Sequence, residues 1–168
     1  MGGVLPPELD VAVKAMCAEK AHFVVVGGFS VIANRFIRAT EDIDFLVPDE
    51  SENDHRVLAA LRELEGVRFR DDEPLRDEHL LGQTHLRAKT KAGVIDIIRG
   101  GLPPLDYKTV EERAMQADYG GVEFLVAGLS SIVGFKRLAD RPRDRNDLIG
   151  LAEIHGDLPN EEIPGLDT

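Results

Sequence analysis

Val26-Gly27-Gly28, then after a gap Asp42-Ile43-Asp44-Phe45, and far downstream Val94-Ile95-Asp96-Ile97-Ile98, are the stretches that decide the fold. Side chains alternate faces along a strand, so Asp42 and Asp44 point one way while Ile43 and Phe45 point into a core. Two carboxylates side by side repel, at about 4 Å and an effective dielectric near 20 by roughly 4 kcal/mol. Such a pair persists when one acid takes a proton or a cation sits between them. Asp96 also stands among apolar strand residues, where an unpaired charge is expensive. It is the expected third ligand, facing the pair from a neighbouring strand. A strand, a glycine turn and three acids form a set able to hold two metal ions and a nucleoside triphosphate.

The plainer readings of each piece stand beside this one. Asp42-Ile43-Asp44 alone would suit an acidic strand edge in water, although Ile43, Phe45, Leu46 and Val47 are too apolar for a surface strand. An arginine such as Arg99 could balance Asp96. Gly27-Gly28 alone could be a tight turn. Between a strand and a helix, glycines also let a phosphate approach the backbone near free N–H groups. Ser30, one turn on, would add a hydroxyl to a terminal phosphate.

Around these residues the chain intermixes strands and helices. Helices are expected over 8–20, 29–36, 51–64, 109–115, 129–139 and 142–154, and strands over 22–26, 43–47, 85–89, 93–98 and 122–126. Residues 67–81 are charged and carry no clear period. The expected class is α/β (α+β), a mixed central sheet flanked by helices with further helices at the C-terminal end. Residues 1–155 read as a single domain and 156–168 as an acidic, loosely held tail.

At 168 residues the chain can bury a core without staples. Its single cysteine, Cys17, excludes an internal disulfide and is expected to be a small buried hydrophobe on the first helix. No apolar run reaches membrane-spanning length, so a cytoplasmic location and no membrane partner are expected. With 20 basic and 31 acidic residues the formal charge is −11, the opposite of a protein that grips duplex nucleic acid along its backbone. The five histidines show no metal-ligand spacing. Arg141, Asp144 and Asp147 read as a salt-bridged helix junction, and Lys136 either meets a triphosphate or is solvated.

Taken together, Gly27-Gly28-Phe29-Ser30, Arg38, Thr40, Asp42-Ile43-Asp44-Phe45 and the distant Asp96 resemble the DNA polymerase beta-like nucleotidyltransferase superfamily. The likeness is nearest to its small bacterial branches, the AbiEii-type toxins and, more distantly, the antibiotic nucleotidyltransferases. It runs from about residue 22 to 148, with Lys136, Arg141, Asp144 and Asp147 similar to the helical close of those proteins. The resemblance implies the nucleotidyltransferase fold and a Mg²⁺-dependent enzyme that moves an NMP from an NTP to a hydroxyl. Asp42, Asp44 and Asp96 would be the catalytic, metal-binding acids, holding two Mg²⁺ ions once NTP is bound. Gly27, Gly28, Ser30, Arg38, Thr40 and Lys136 would hold the nucleotide. The acceptor would be RNA or protein, as for a toxin of a toxin–antitoxin system, or a small molecule such as an antibiotic. An antitoxin or a second copy of the chain would be a partner. A reading from another class is a non-catalytic nucleotide-binding or interaction module.

Two departures accompany the likeness. Relatives often carry a glycine before the arginine of the first helix, where this chain has Asn34-Arg35. Many also have a C-terminal acceptor domain, for which residues 1–168 lead one to expect no counterpart.

Overall fold

A computed structural model describes residues 5–167; residues 1–4 and 168, the outermost positions of the expected domain and tail, lie outside it. Its elements in chain order are α1 (Leu9–Ala18), β1 (Val24–Val26), α2 (Gly27–Ala33), β2 (Asp42–Val47), α3 (Ser51–Glu63), β3 (Val67–Arg68), β4 (His85–Thr90), β5 (Gly93–Arg99), α4 (Tyr107–Glu112), β6 (Met115–Tyr119), β7 (Val122–Val126), α5 (Leu129–Ala139) and α6 (Pro142–His155). The seven strands form one mixed sheet in the order β3-β4-β5-β2-β1-β7-β6. β2 runs parallel to β5 and β1 parallel to β7, while the other pairs are antiparallel.

Strand alternation divides the apolar residues between two layers. Val25, Ile43, Phe45, Ile95 and Ile97 face α1 and α3, forming the larger core. Val24, Val26 and Leu46 face the opposite way and pack with Val31, Ile132 and Leu151 from α2, α5 and α6. Asp42 and Asp44 share the face of Leu46, so they emerge on the side of α5 and α6. The apolar partners at odd and even positions explain why both faces of β2 are buried over most of their length.

Several elements depart from expectation, each for a physical reason. β6 occupies residues assigned in part to a helix and in part to a turn. Its side chains are mostly exposed and lack an apolar alternation, so it exists through pairing with β7. Gly120 and Gly121, both at positive φ, make the two-residue hairpin that holds it there. α2 starts at the glycines themselves and ends early. The Asn34 side-chain amide donates to Ser30 O and Ala127 O, and Arg35 turns to φ +79°.

Cys17 is exposed. The buried stripe of α1 is Leu9, Ala12, Val13 and Met16, and the residue after Met16 lies about 100° around the helix. The segment beyond Gly156, expected to be loosely held, lies against α5. Ile163 is buried, Arg137 pairs with Asp167, and Arg113 pairs with Glu161.

Candidate functional site

Direct register places the acids together. Asp44 on β2 is paired with Asp96 on β5, and Val26, the last residue of β1, is paired with Asp44. Side chains of directly paired residues share a face. Asp42, Asp44 and Asp96 therefore open onto one cleft, beside the bend at Gly27. Gly27, at φ +69°, turns the chain out of β1 so tightly that a Cβ there would lie 2.0 Å from Asp44 Oδ2. A Cβ on Gly28 would lie 2.4 Å from Thr40 Oγ1. Both positions require glycine, and their bare backbone forms the wall next to the acids.

The cleft, about 330 Å³, is lined by Gly27, Gly28, Arg38, Thr40 and the three aspartates, with His85, Arg87, Lys136, Arg141 and Arg143 around them. A second cavity of about 200 Å³ joins it at Gly27 and Asp44 and continues between Val26, Ser30, Ile98, Ile132 and Phe135. One end is thus charged and the other apolar.

Electrostatics single out Asp44. Its carboxyl is pushed up to about 7, first by burial and then by the neighbouring charges of Asp96 and Asp42; a hydrogen bond with Asp96 adds to the shift and Lys136 opposes it. Asp44 is buried against two like charges, and among the described ion pairs none involves it. Arg87 attends the other two acids. Its guanidinium donates to Asp96 Oδ2 at 2.7 Å and reaches Asp42 at 3.3 and 3.4 Å. His85 Nε2 lies 2.9 Å from Asp96 Oδ1.

The other nominated residues divide. Thr40 stands under Gly28, its hydroxyl donating to Asp42 O at 3.2 Å. The Ser30 hydroxyl donates to Gly27 O at 2.5 Å and is nearly inaccessible. Arg38 reaches the cleft but its guanidinium is engaged by Asp147, at 2.7 and 3.0 Å. Lys136 is buried, held by Asp144 at 3.0 Å and Asp147 at 2.9 Å. The Arg141 guanidinium also pairs with Asp144, as expected for a salt-bridged junction. Burial alone would raise the Asp144 carboxyl; hydrogen bonds from Arg141 and Lys136 outweigh it and hold the group below the ordinary carboxylate range.

Arg99 is not the partner of Asp96. Three positions along β5 it emerges on the opposite face, where it pairs with buried Asp54 at 2.6 Å and with Asp49. The partners of Asp96 are Arg87 and His85, a pairing with no expectation in the sequence. The available signal was the alternation of His85-Leu86-Arg87-Ala88, with Leu86 and Ala88 buried and His85 and Arg87 turned outward. Only the β4–β5 register, with Arg87 opposite Asp96, turns that alternation into a contact.

The donor set suits a hard divalent cation, which prefers carboxylate oxygens. Among the described residues no three Asp, Glu, His or Cys side chains are already gathered as a metal cage. The Arg87 guanidinium stands between Asp42 and Asp96, a cation in the neighbourhood where a metal ion would be shared.

A family model described as nucleotidyltransferase of unknown function (DUF6036) matches residues 8–155. No curated protein matches the chain. Among solved structures, the chain is similar to ANT(2'')-Ia in complex with adenylyl-2''-tobramycin, at 14% identity and a TM-score of 0.59, covering 88% of this chain and 87% of that one. The solution structure of the antibiotic-resistance factor ANT(2'')-Ia gives 14% identity and 0.61, covering 88% and 82%. An antigenic nucleotidyltransferase-like protein from Paracoccidioides brasiliensis gives 13% identity and 0.55, covering 89% and 79%. At these identities the likeness speaks for the fold, a mixed sheet flanked by helices.

Proposed function

Given that the chain belongs to this nucleotidyltransferase family, with 8–155 as its matched span, we propose that it transfers a nucleoside monophosphate from an NTP to a hydroxyl acceptor at the Asp42–Asp44–Asp96 cleft. The observation that carries the reading is the pairing of Asp44 with Asp96 beside Gly27, on one face, with Asp44 buried against like charges. Phosphoryl-type transfer asks a protein for positioning and charge neutralisation above all.

In this reading Asp42, Asp44 and Asp96 hold divalent metal, Mg²⁺ being the hard cation that suits them. When bound, two such ions supply charge neutralisation on the phosphates and acidify the incoming hydroxyl. Gly27 and Gly28 leave room for the phosphates against the backbone. The apolar cavity between Val26, Ile98, Ile132 and Phe135 takes the base and sugar. The acceptor oxygen forms a bond to the α-phosphorus, the α–β bridging bond breaks, pyrophosphate leaves, and the hydroxyl proton passes to the Asp96 carboxylate.

Arg38 and Lys136 support the phosphate end through their fixed positions, since both are tied to Asp147. That tie takes Arg38 and Lys136 out of the basic rim that Arg35, Arg38, Lys136 and Arg137 would offer an RNA or protein on the α5–α6 side of the cleft. Arg137 faces the C-terminal segment instead, paired with Asp167. The antibiotic reading rests on the fold it shares with ANT(2'')-Ia. No helix among the described residues is long and apolar enough to cross a membrane.

Incubation with α-labelled NTPs, Mg²⁺ and cell extract tests the proposal. Label is expected on an acceptor, and Asp44→Asn should reduce transfer by at least about 10²-fold, the scale for losing one preorganised electrostatic group. NTP binding without any transfer would favour the non-catalytic module.

A further inference from the structure

The sheet order gives the cleft a direction. Gly27 follows β1, Asp42 and Asp44 lie on β2, Asp96 on β5, and His85 and Arg87 on β4, with β3 at the edge. In-line displacement needs the attacking oxygen and the leaving pyrophosphate on opposite sides of the phosphorus. With the phosphates against Gly27, the acceptor must arrive from beyond Asp96, across β4 and β3.

A third cavity, about 380 Å³, lies on that side and shares His85 and Arg87 with the cleft. Its other walls include Arg68, Phe69, Arg70 and His79. Phe69 N donates to Arg87 O, which continues the β3–β4 pairing by one residue. That register puts the Phe69 ring on the face of Arg87, whose guanidinium carbon is 4.5 Å from the ring centroid. Arg68 is neutralised locally by Asp71 and Glu73. Arg70 meets an acid only at 3.9 Å, and its side chain is 76% exposed. His79 is buried; burial, then the charges of Arg68 and Arg76, hold its pKa below the usual value. Its Nδ1 accepts from Arg76 N at 3.1 Å, which places the ring hydrogen on Nε2, an atom with no hydrogen-bond partner. Glu73 Oε2 is 4.0 Å away from it. Glu78, also in the wall, is drawn to Arg76.

We propose that this cavity between β3, β4 and the His79 turn is the acceptor site, and that it takes a nucleotide unit: a flat base beside Phe69 and a phosphate at Arg70. The inference rests on the transfer reading for its direction. An aromatic ring next to guanidinium groups binds bases without regard to sequence, and a cation such as Arg70 suits phosphate. A polycationic acceptor would meet arginines here. The same nucleotide chemistry is offered by a free nucleotide or by the end of an RNA strand.

The test reads backbone amide shifts of the full chain in Mg²⁺-free buffer as AMP, inorganic phosphate, a pentaribonucleotide or tobramycin is added. AMP should move residues 67–70 and 83–87, more tightly than phosphate alone. Phe69→Leu should weaken AMP at least about fivefold, as loss of a stacking ring does. Arg70→Gln, an exposed change that leaves the core intact, should weaken it about threefold. Tighter binding of the pentaribonucleotide than of AMP supports the site and names a strand end; the reverse supports it and names a free nucleotide. Shifts confined to residues 26–30, unchanged affinity in both variants, or tobramycin moving 67–70 as strongly as AMP would overturn the assignment. A separate titration with ATP and Mg²⁺ keeps the two readings apart. If ATP moves 26–30 and label transfer proceeds while AMP leaves 67–70 still, only the acceptor site is lost. If AMP moves 67–70 but no label is ever transferred, the nucleotide site stands and the transfer reading fails.

Discussion

Two clusters of aspartates lie within the same cleft region, and they are opposite in kind. At the junction of α5 and α6, Asp144 and Asp147 are almost inaccessible and fully matched by Lys136, Arg38 and Arg141. There the acid is pulled below its ordinary range. At the β2–β5 pair, Asp44 sits between Asp42 and Asp96 and is pushed up to about 7. Identical side chains thus serve two ends. Where every acid has a cation in contact, the cluster joins helices; where one buried acid, Asp44, has like charges for neighbours, it has capacity for a cation from outside. Buried paired charges stabilise little relative to an apolar replacement, but breaking one is costly. Asp44, buried beside two like charges, costs stability in the folded chain, a burden typical of functional sites.

The comparison is most exposed to a change in the matched cluster. Asp147→Asn leaves Arg38 without its acid and Lys136 with one of two, so it should destabilise by about 3 kcal/mol. For a chain of this length that lowers the melting temperature by roughly 6–12 °C. A loss under about 1 kcal/mol would mean that the junction is not held by its charges.

The opposite sign is expected for Asp44→Asn, which should raise stability at neutral pH. Between about pH 4, the unfolded value for an aspartate, and pH 7 the folded chain keeps a proton on Asp44 that the unfolded chain has released. Folding then takes up a proton, so stability falls as pH rises through that window. The advantage of the asparagine variant should be absent near pH 4 and grow to roughly 4 kcal/mol by pH 7 to 8, about 1.4 kcal/mol for each of the three pH units. Chemical denaturation of both proteins across that range measures it; parallel curves would remove the distinction between the clusters. Contributions of Asp144 and Asp71, whose acids are lowered, are common to both proteins and cancel in the difference.

The smallest effect belongs to a pair in neither class. Arg145 and Asp140 meet at 2.8 Å in open solvent, and exposed pairs contribute little. Arg145→Gln should leave the melting curve superimposable on that of the parent, which makes it the control for the other two.

Much of this was legible in the chain. Period-two alternation put Asp42 and Asp44 on one face because apolar residues stand between and beyond them. The glycine pair marked the bend, and the spacing of Arg141, Asp144 and Asp147 on one helix indicated a salt-bridged junction. Less was legible where an element lacks a local signal. β6 has no apolar face of its own and forms by pairing with β7. Lys136 is an ordinary helical lysine until two buried acids surround it.

Amino-acid order alone determined most of the strands and helices, the place of the bend and the side of β2 on which its acids emerge, since these follow from neighbours a few residues apart. Tertiary structure decided that Asp96 stands opposite Asp44, that Arg87 and His85 attend it while Arg99 turns away, and that one acid is held near neutrality while another is held well below it. Register and burial are properties of strands brought together from distant parts of the chain, and an electrostatic balance exists only once every charge has its position.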